Sequence, residues 1–392
     1  MYSLDGIVVL DLARRYPGAY TAMFLADFGA EVIKVDPPGP SLPVQAAGTT
    51  EERFAAYNPT DRNKRSIVLD LKKEAARQVL RRLVERADVL IEGFRPGVMD
   101  RLGLGYVALS ELNPRLVYCA LSGFGQTGPY ALVPAHDMNF IALGGALSLI
   151  GERNGRPYLP SNIVADLSGA GLHGVIGVLL ALMARTKTGK GQFVDVAFLD
   201  TVLSLMTWSA SEYLESGKVP KRGETRFTGS APWAQVFRCK DGEYITIGAA
   251  EPHLWAKLCR ALGREDLIPD REPSSREQAE QVIAEFAAIF ETRTRDEWNE
   301  HLKDEQTCVA PVYYINETLN DPQVLHREML VELAHPTLGS VKQVGIPIKL
   351  SETPGSIRRL GVLTGADTDA VLQELGYREL EVAKLREDGC LG

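Results

Sequence analysis

The chain has 392 residues, more than one hydrophobic core usually serves, so two domains are expected; 45% hydrophobic and 24% charged residues describe an ordinary folded protein. A formal charge of −8, with basic residues scattered along the chain, argues against a nucleic-acid partner but not against a small anionic ligand. Five widely spaced cysteines without a CxxC, and six histidines without ligand spacing, argue against a disulfide framework or metal site and fit a reducing cytoplasm.

The N-terminal MYSLDGIVVLDLARR lacks a basic leader region and reads as a strand rather than a signal peptide. Strand GIVVLDLA is followed by helix PGAYTAMFLADFGA, with Pro17 early and Gly29 near its end, and then by strand EVIKVD. Strand RSIVLDL, helix KKEAARQVLRRLVERA, strand DVLIEGF, a short helix from Pro96 and strand RLVYCALSG continue the alternation. This βαβ rhythm predicts an α/β fold with a doubly wound, mainly parallel, Rossmann-like sheet, whose ligands bind beyond the carboxyl ends of the strands. GFGQTG (Gly123, Gly125, Gly128) matches G-x-G-x-x-G, but Pro129 and Pro134 stand where a dinucleotide site needs a helix, which argues against a dehydrogenase.

His136 and Asp137 stand side by side in AHDMNFIALGG, residues 135–145, ahead of an apolar run that reads as a buried helix. An aspartate there is expected to cap the helix, yet two adjacent titratable groups also suit acid/base chemistry. Asp166, in NIVADLSGAG, is expected immediately before a second long helix, where amides and the positive dipole end can hold a carboxylate. A cap shared with Ser168 is the structural alternative. The longest apolar run, LHGVIGVLLALMA, reads as too short and too rich in His and Gly to span a bilayer, so no membrane partner is expected.

Residues 210–235 read as polar loop, and GEYITIGAAEPHLWAKLCRALG opens a smaller α/β unit. Two capping boxes, Ser274 with Glu277 and Thr294 with Glu297, are expected to open helices in it, and strand VAPVYYI to close it. From DPQV a proline-punctuated stretch runs to about residue 350, before a helical tail. The expected limits are 1–210 for a large α/β domain, 225–325 for the small domain and 330–392 for a segment returning to the large one.

The segments LADFGAEVIKVD, NKRSIVLDLK, ADVLIEGFRPGVMDRLGLG, NPRLVYCALSGFGQTGP, AHDMNFIALGGALSLIG, NIVADLSGAG, RTKTGKGQFVD and DGEYITIGAAEPHLW resemble, in order and spacing, the class III CoA-transferase superfamily (CaiB/BaiF type). Within it the chain resembles the α-methylacyl-CoA racemase branch. The resemblance implies an acyl-CoA enzyme built as an interlaced homodimer, with coenzyme A carried as the substrate thioester and no other cofactor. In the transferases, the aspartate matching Asp166 attacks the thioester, giving a mixed anhydride and then an enzyme-bound CoA thioester. In the racemases that aspartate and a histidine, matched by His136, serve opposite faces of the substrate α-carbon. The racemase pattern further implies that Glu251 of AAEPHLW supports His136, that Asn162 hydrogen-bonds Asp166, and that Asp137 and Asn139 complete an HDxN signature.

Removing a proton beside a thioester carbonyl leaves a planar enolate, and inversion needs a proton donor on the opposite face. Imidazole and carboxylate can exchange those roles near neutral pH, whereas CoA transfer needs the carboxylate alone. The expected reaction is therefore racemisation or epimerisation of 2-methylacyl-CoA thioesters. CoA transfer through Asp166, and acyl-CoA binding without catalysis, are the alternatives.

For CoA itself the resemblance implies Leu69, Leu71 and Lys72 on the nucleotide side, and Gly93, Phe94, Arg95 and Arg101 along the pantetheine and phosphates, with Ala135, Asp137 and Asn139 completing the set. In LARRYPGAY, Arg15 is expected to bind a CoA phosphate or an acyl carboxylate, and Arg14 to be a solvated charge. Two stretches depart from the racemase pattern. Thr228, Gly229 and Ser230 replace a more acidic turn, and Pro37 stands where an arginine is expected near the adenine, with Lys34 as the expected substitute.

Overall fold

Six apolar segments form one parallel sheet: β1 (Val8–Asp11), β2 (Glu31–Asp36), β3 (Lys64–Val68), β4 (Val89–Glu92), β5 (Val117–Ser122) and β6 (Phe193–Ala197). The computed structural model describes residues 1–39 and 50–391. Strand order is β3-β2-β1-β4-β5-β6, every neighbouring pair parallel, so the order reverses between β1 and β4 as a doubly wound sheet requires. Successive side chains feed opposite cores. Leu10, Ile33 and Ile67 pack on Val79, Leu80 and Leu83 of helix Glu74–Val84, and on Val371 and Val382 of the C-terminal helices. Val9, Val32, Val89 and Ile91 pack instead on Ala22 and Leu25 of the first helix, Tyr16–Asp27, and on Val178 and Ala181 further on.

The C-terminal tail is tied back by hydrogen bonds as well as by packing. Ser66 and Val68 amides donate to the Asp367 carboxylate and the Thr368 hydroxyl, and the Asp70 amide donates to the Cys390 carbonyl. A buried Arg62–Asp27 ion pair at 2.6 Å adds a guanidinium contact to the Val344 carbonyl. The described residues divide into two compact units, one of Met1–Gly144, Ser161–Leu205 and Pro322–Gly392, the other of Gly145–Pro160 and Met206–Asp321. Residues 145–160, read from sequence as part of 1–210, thus cluster with the second unit.

That second unit carries an antiparallel sheet, β7 (Ala234–Arg238), β8 (Tyr244–Gly248) and β9 (Val309–Pro311), over an aromatic core of Trp233, Trp255, Phe286, Phe290 and Trp298. Of VAPVYYI only the first three residues are strand. The Thr294–Glu297 capping box forms, but the other helix starts one residue later than expected: Ser275 accepts from the Gln278 amide, while Ser274 bonds the Gln278 side chain.

Further features differ from the sequence reading. Residues 210–216, read as loop, belong to helix Thr207–Ser216, none of whose residues is buried, so it carries no core-facing period. The stretch after DPQV contains an antiparallel hairpin, β10 (Leu330–His335) with β11 (Gly339–Val344). Asp166 does not precede its helix. Ile163–Gly171 is wound in wide π turns that run without a break into the long helix Leu172–Thr188. Joined, Ile163–Thr188 is 26 residues, and an 18-residue window within it has mean hydropathy 1.9, long and apolar enough by length and composition to cross a membrane, contrary to the reading of the shorter run.

Candidate active site

The carboxyl ends of β1, β3, β4 and β5 bring their following loops to one edge of the sheet. Beneath it, Lys64 donates to Asp11 at 2.7 Å and to the Ala19 carbonyl at 3.0 Å, while the other Asp11 oxygen accepts the Ala13 amide. Both side chains are fully buried, so this pair fixes the turn that carries Arg14 and Arg15. Arg14 is exposed, as expected of a solvated charge, and lies 5.3 Å over the Phe94 ring, joining the β1 and β4 loops. Arg15 is the exposed N-cap of the first helix.

Arg15, Lys72, Arg95 and Arg101 are exposed cations without an ion-pair partner among the described residues, a set that suits phosphate oxygens. Leu69 and Leu71 are core residues, and the Leu69 amide is taken by the Asp36 carbonyl. Lys34 does not replace the missing arginine either. Its ammonium lies 3.0 Å from Asp61 and 3.3 Å from Asp36; burial opposes its charge, but those two carboxylates raise its pKa overall. Gly93 is exposed, with Phe94 half-buried beside it. Sequence reasoning missed Glu92 at the end of β4: burial pushes its pKa up to about 7, helped by Asp100 and Asp195 and opposed by the hydrogen bond from the Phe94 amide. Its place beside the strand-order reversal was the available signal.

His136 is the exposed N-cap residue of helix Asp137–Leu143, after the half-buried Ala135. Its backbone amide donates to the Asn139 side chain at 3.1 Å, and the Asn139 amide donates back to the His136 carbonyl at 2.8 Å. Asn139 therefore does the capping that the sequence suggested for Asp137. Phe140, one turn in, anchors this helix start against Phe124 and Phe198. Asp137 is buried and turns away from its own helix: one carboxylate oxygen accepts the amides of Ala165 and Asp166, each at 2.9 Å.

Asp166 is half-buried in the π-wound segment. Burial raises its pKa to about 6 and the Asp137 charge adds to this, while His136 and a hydrogen bond from Asn162 pull it back. His136, Asp137, Asn162 and Asp166 thus form one electrostatic cluster in the first unit. A π-wound stretch places side chains at angles an α-helix does not, and such stretches recur at functional sites. The arrangement holds one exposed imidazole and one carboxyl whose proton is exchanged near neutral pH, as general acid/base work requires.

Glu251 belongs to the second unit, as the exposed N-cap of helix Pro252–Ala261, with no hydrogen bond from its side chain to the helix. In the same unit the Thr228–Ser230 turn is held by reciprocal Thr225–Thr228 bonds, with φ +101° at Gly229, so its neutral residues build a backbone turn instead of an acidic one. Among the described residues no group of three or more potential metal ligands occurs.

Residues 4–368 match the sequence model of CoA-transferase family III. The chain is 36% identical over 389 residues to an alpha-methylacyl-CoA racemase of Homo sapiens, covering 98% of this chain and 97% of the relative. It is also 30% identical over 397 residues to the succinyl-CoA:glutarate CoA-transferase of the same organism, covering 99% and 90%. A crystal structure of a CaiB/BaiF family protein from Brucella suis superposes with a TM-score of 0.81 at 30% identity, covering 95% of this chain and 99% of that one. Family match, full-length relatives and fold agree: the chain belongs to CoA-transferase family III.

Proposed function

We propose that this protein is a racemase or epimerase of 2-methylacyl-CoA thioesters, working as a cytoplasmic homodimer without a cofactor beyond the CoA of its substrate. One of His136 and Asp166 removes the α-proton, the thioester carbonyl takes up the charge as an enolate, and the other returns a proton to the opposite face. No net proton is gained or lost. The observation that carries this reading is the Asp166 carboxyl, half-buried, raised to about 6 and within electrostatic reach of His136. A carboxyl with that pKa can act as base and as acid within one pH unit or so of neutrality. The alpha-methylacyl-CoA racemase relative supports the same reaction. CoA transfer through an Asp166 anhydride is the second reading, supported by the succinyl-CoA:glutarate CoA-transferase relative.

Incubation with (R)-2-methylacyl-CoA in D2O separates the two. Racemisation places deuterium on the α-carbon and erases the optical purity; His136→Ala abolishes inversion while one enantiomer still exchanges. CoA movement to added carboxylates, lost in Asp166→Asn but kept in His136→Ala and without deuterium uptake, establishes the transferase instead.

A further inference from the structure

We infer that Asp137 is a positioning residue for Asp166: its carboxylate anchors the backbone that carries Asp166, and its negative charge biases Asp166 towards keeping a proton. The inference rests on the acid/base reading above and concerns a side chain that this reading does not use.

The geometry excludes the ordinary explanation of an acid at this position. Asp137 opens its helix, yet its bonded oxygen accepts two amides from a segment 28 and 29 residues further along the chain. The start of its own helix is closed by Asn139 and the His136 backbone. One of the two amides belongs to Asp166 itself, so the Asp137 carboxylate is held against the backbone that carries the Asp166 carboxyl. The remaining Asp137 oxygen is buried and has no hydrogen-bond partner among the described residues. Two neutral amides on one oxygen compensate a carboxylate only in part, and the rest of its field acts on its neighbours.

A purely structural clamp has no use for that charge. An asparagine or serine oxygen accepts amides just as an aspartate does, without setting two carboxylates against each other, which costs free energy whenever both ionise. What the carboxylate adds is repulsion, relieved when Asp166 takes up a proton. The other groups facing Asp166 do not duplicate this. His136 opposes it with positive charge when protonated, and Asn162 donates a hydrogen bond to the carboxyl. The first helix supplies the Thr21 hydroxyl to the Gly171 carbonyl at 2.8 Å, with Tyr20 beside it, helix Phe198–Leu205 brings Thr201 against Gly169, and helix Leu172–Thr188 sets the His173 Nδ1 2.8 Å from the Gly169 carbonyl; none of these supplies a negative charge near neutral pH. Asp137 is therefore the acid that resists ionisation of Asp166, while His136 and Asn162 favour it.

The test reads the proton directly. Carboxyl carbon NMR of aspartate-labelled protein, with the Asp166 signal assigned by its absence in Asp166→Asn, gives the Asp166 titration midpoint without reference to turnover. In Asp137→Asn, which keeps an acceptor for both amides, the midpoint falls by roughly one pH unit, and the acidic limb of α-proton exchange moves with it. Asp137→Ser, a smaller neutral acceptor, shifts it in the same direction should the asparagine variant fail to fold. A merely structural role would lower kcat at every pH and leave the midpoint where it was. An unmoved or raised midpoint in the folded variants overturns the inference. If Asp166→Asn affects neither exchange nor CoA transfer, the functional reading fails instead, whatever the midpoint does.

Discussion

Asp166 shows what a half-buried carboxyl costs the fold. Its folded pKa of about 6 lies above the ordinary 3.8, chiefly because burial disfavours the charge and Asp137 repels it. The folded state therefore holds this proton more tightly than the unfolded chain. The resulting stability is fully present below about pH 4 and is lost as the pH rises through about 6. Asp166→Asn carries no such liability. It should be more stable than the parent above pH 6, by about 1 kcal/mol once solvent screening of a half-exposed group is allowed for, with the difference closing below pH 4. Urea titrations at pH 4 and pH 8 check this; an equal difference at both would mean that the proton is not responsible. The aspartate itself was legible from its motif, whereas its environment was not: Asp137 and Asp166 are 29 residues apart, and only the fold sets one against the backbone of the other.

At the level of elements, the π-wound stretch is held by close packing with the first helix. The single Thr21 hydroxyl proton is shared between the Pro17 and Gly171 carbonyls, and a Cβ built on Gly174 would stand 2.5 Å from its hydroxyl oxygen and 3.2 Å from Leu121. Replacing a mid-helix glycine by alanine ordinarily gains about 1 kcal/mol. Here the methyl meets an oxygen pinned by two carbonyls, and overpacking costs about 1–3 kcal/mol. Gly174→Ala should thus be destabilising by about 1–2 kcal/mol and should lower kcat by displacing the Asp166 segment; a higher Tm would show that the helices can part without loss. Five of the six parallel strands were readable because each is a short apolar run in βαβ alternation, as were helices with a buried stripe, such as Glu74–Val84; β6 was not, because only its last two residues are buried. Thr207–Ser216 was not, because it buries nothing, and the β10–β11 hairpin was obscured because its strands are half polar and Pro336 reads as a breaker. The π turns leave no mark in composition, so the sequence could name Asp166 but not the winding that presents it.

At the scale of the whole molecule, helix Leu172–Thr188 has a surface that a lone chain leaves unexplained. Gly174, Val178, Ala181, Leu182 and Arg185 form the buried stripe of helix Leu172–Thr188, while Leu172, Ile176, Leu179, Leu180 and Met183 form a second apolar stripe that is exposed. A helix apolar all round is normally buried all round, in a core, an interface or a membrane. The first stripe already packs on the central sheet with Cys119 and Val117, as a bilayer-spanning helix of this fold could not do without lifting the sheet into lipid. The second stripe is therefore expected to be covered by another copy of the chain, in the interlaced homodimer that the sequence resemblance implied. Apolar burial of a few such side chains contributes about 1.5–3 kcal/mol each. Threaded chains also cannot separate while folded, so dissociation and unfolding should form a single transition whose midpoint rises with protein concentration. Sedimentation at micromolar concentration should give a dimer. Leu180→Glu together with Met183→Glu, which places charge on the exposed stripe only, should lower the unfolding midpoint of the dimer without releasing a folded monomer. A folded, active monomer in either protein would show that the stripe is not an interface of this kind, and partition of the parent onto neutral phosphatidylcholine vesicles would assign it to lipid instead.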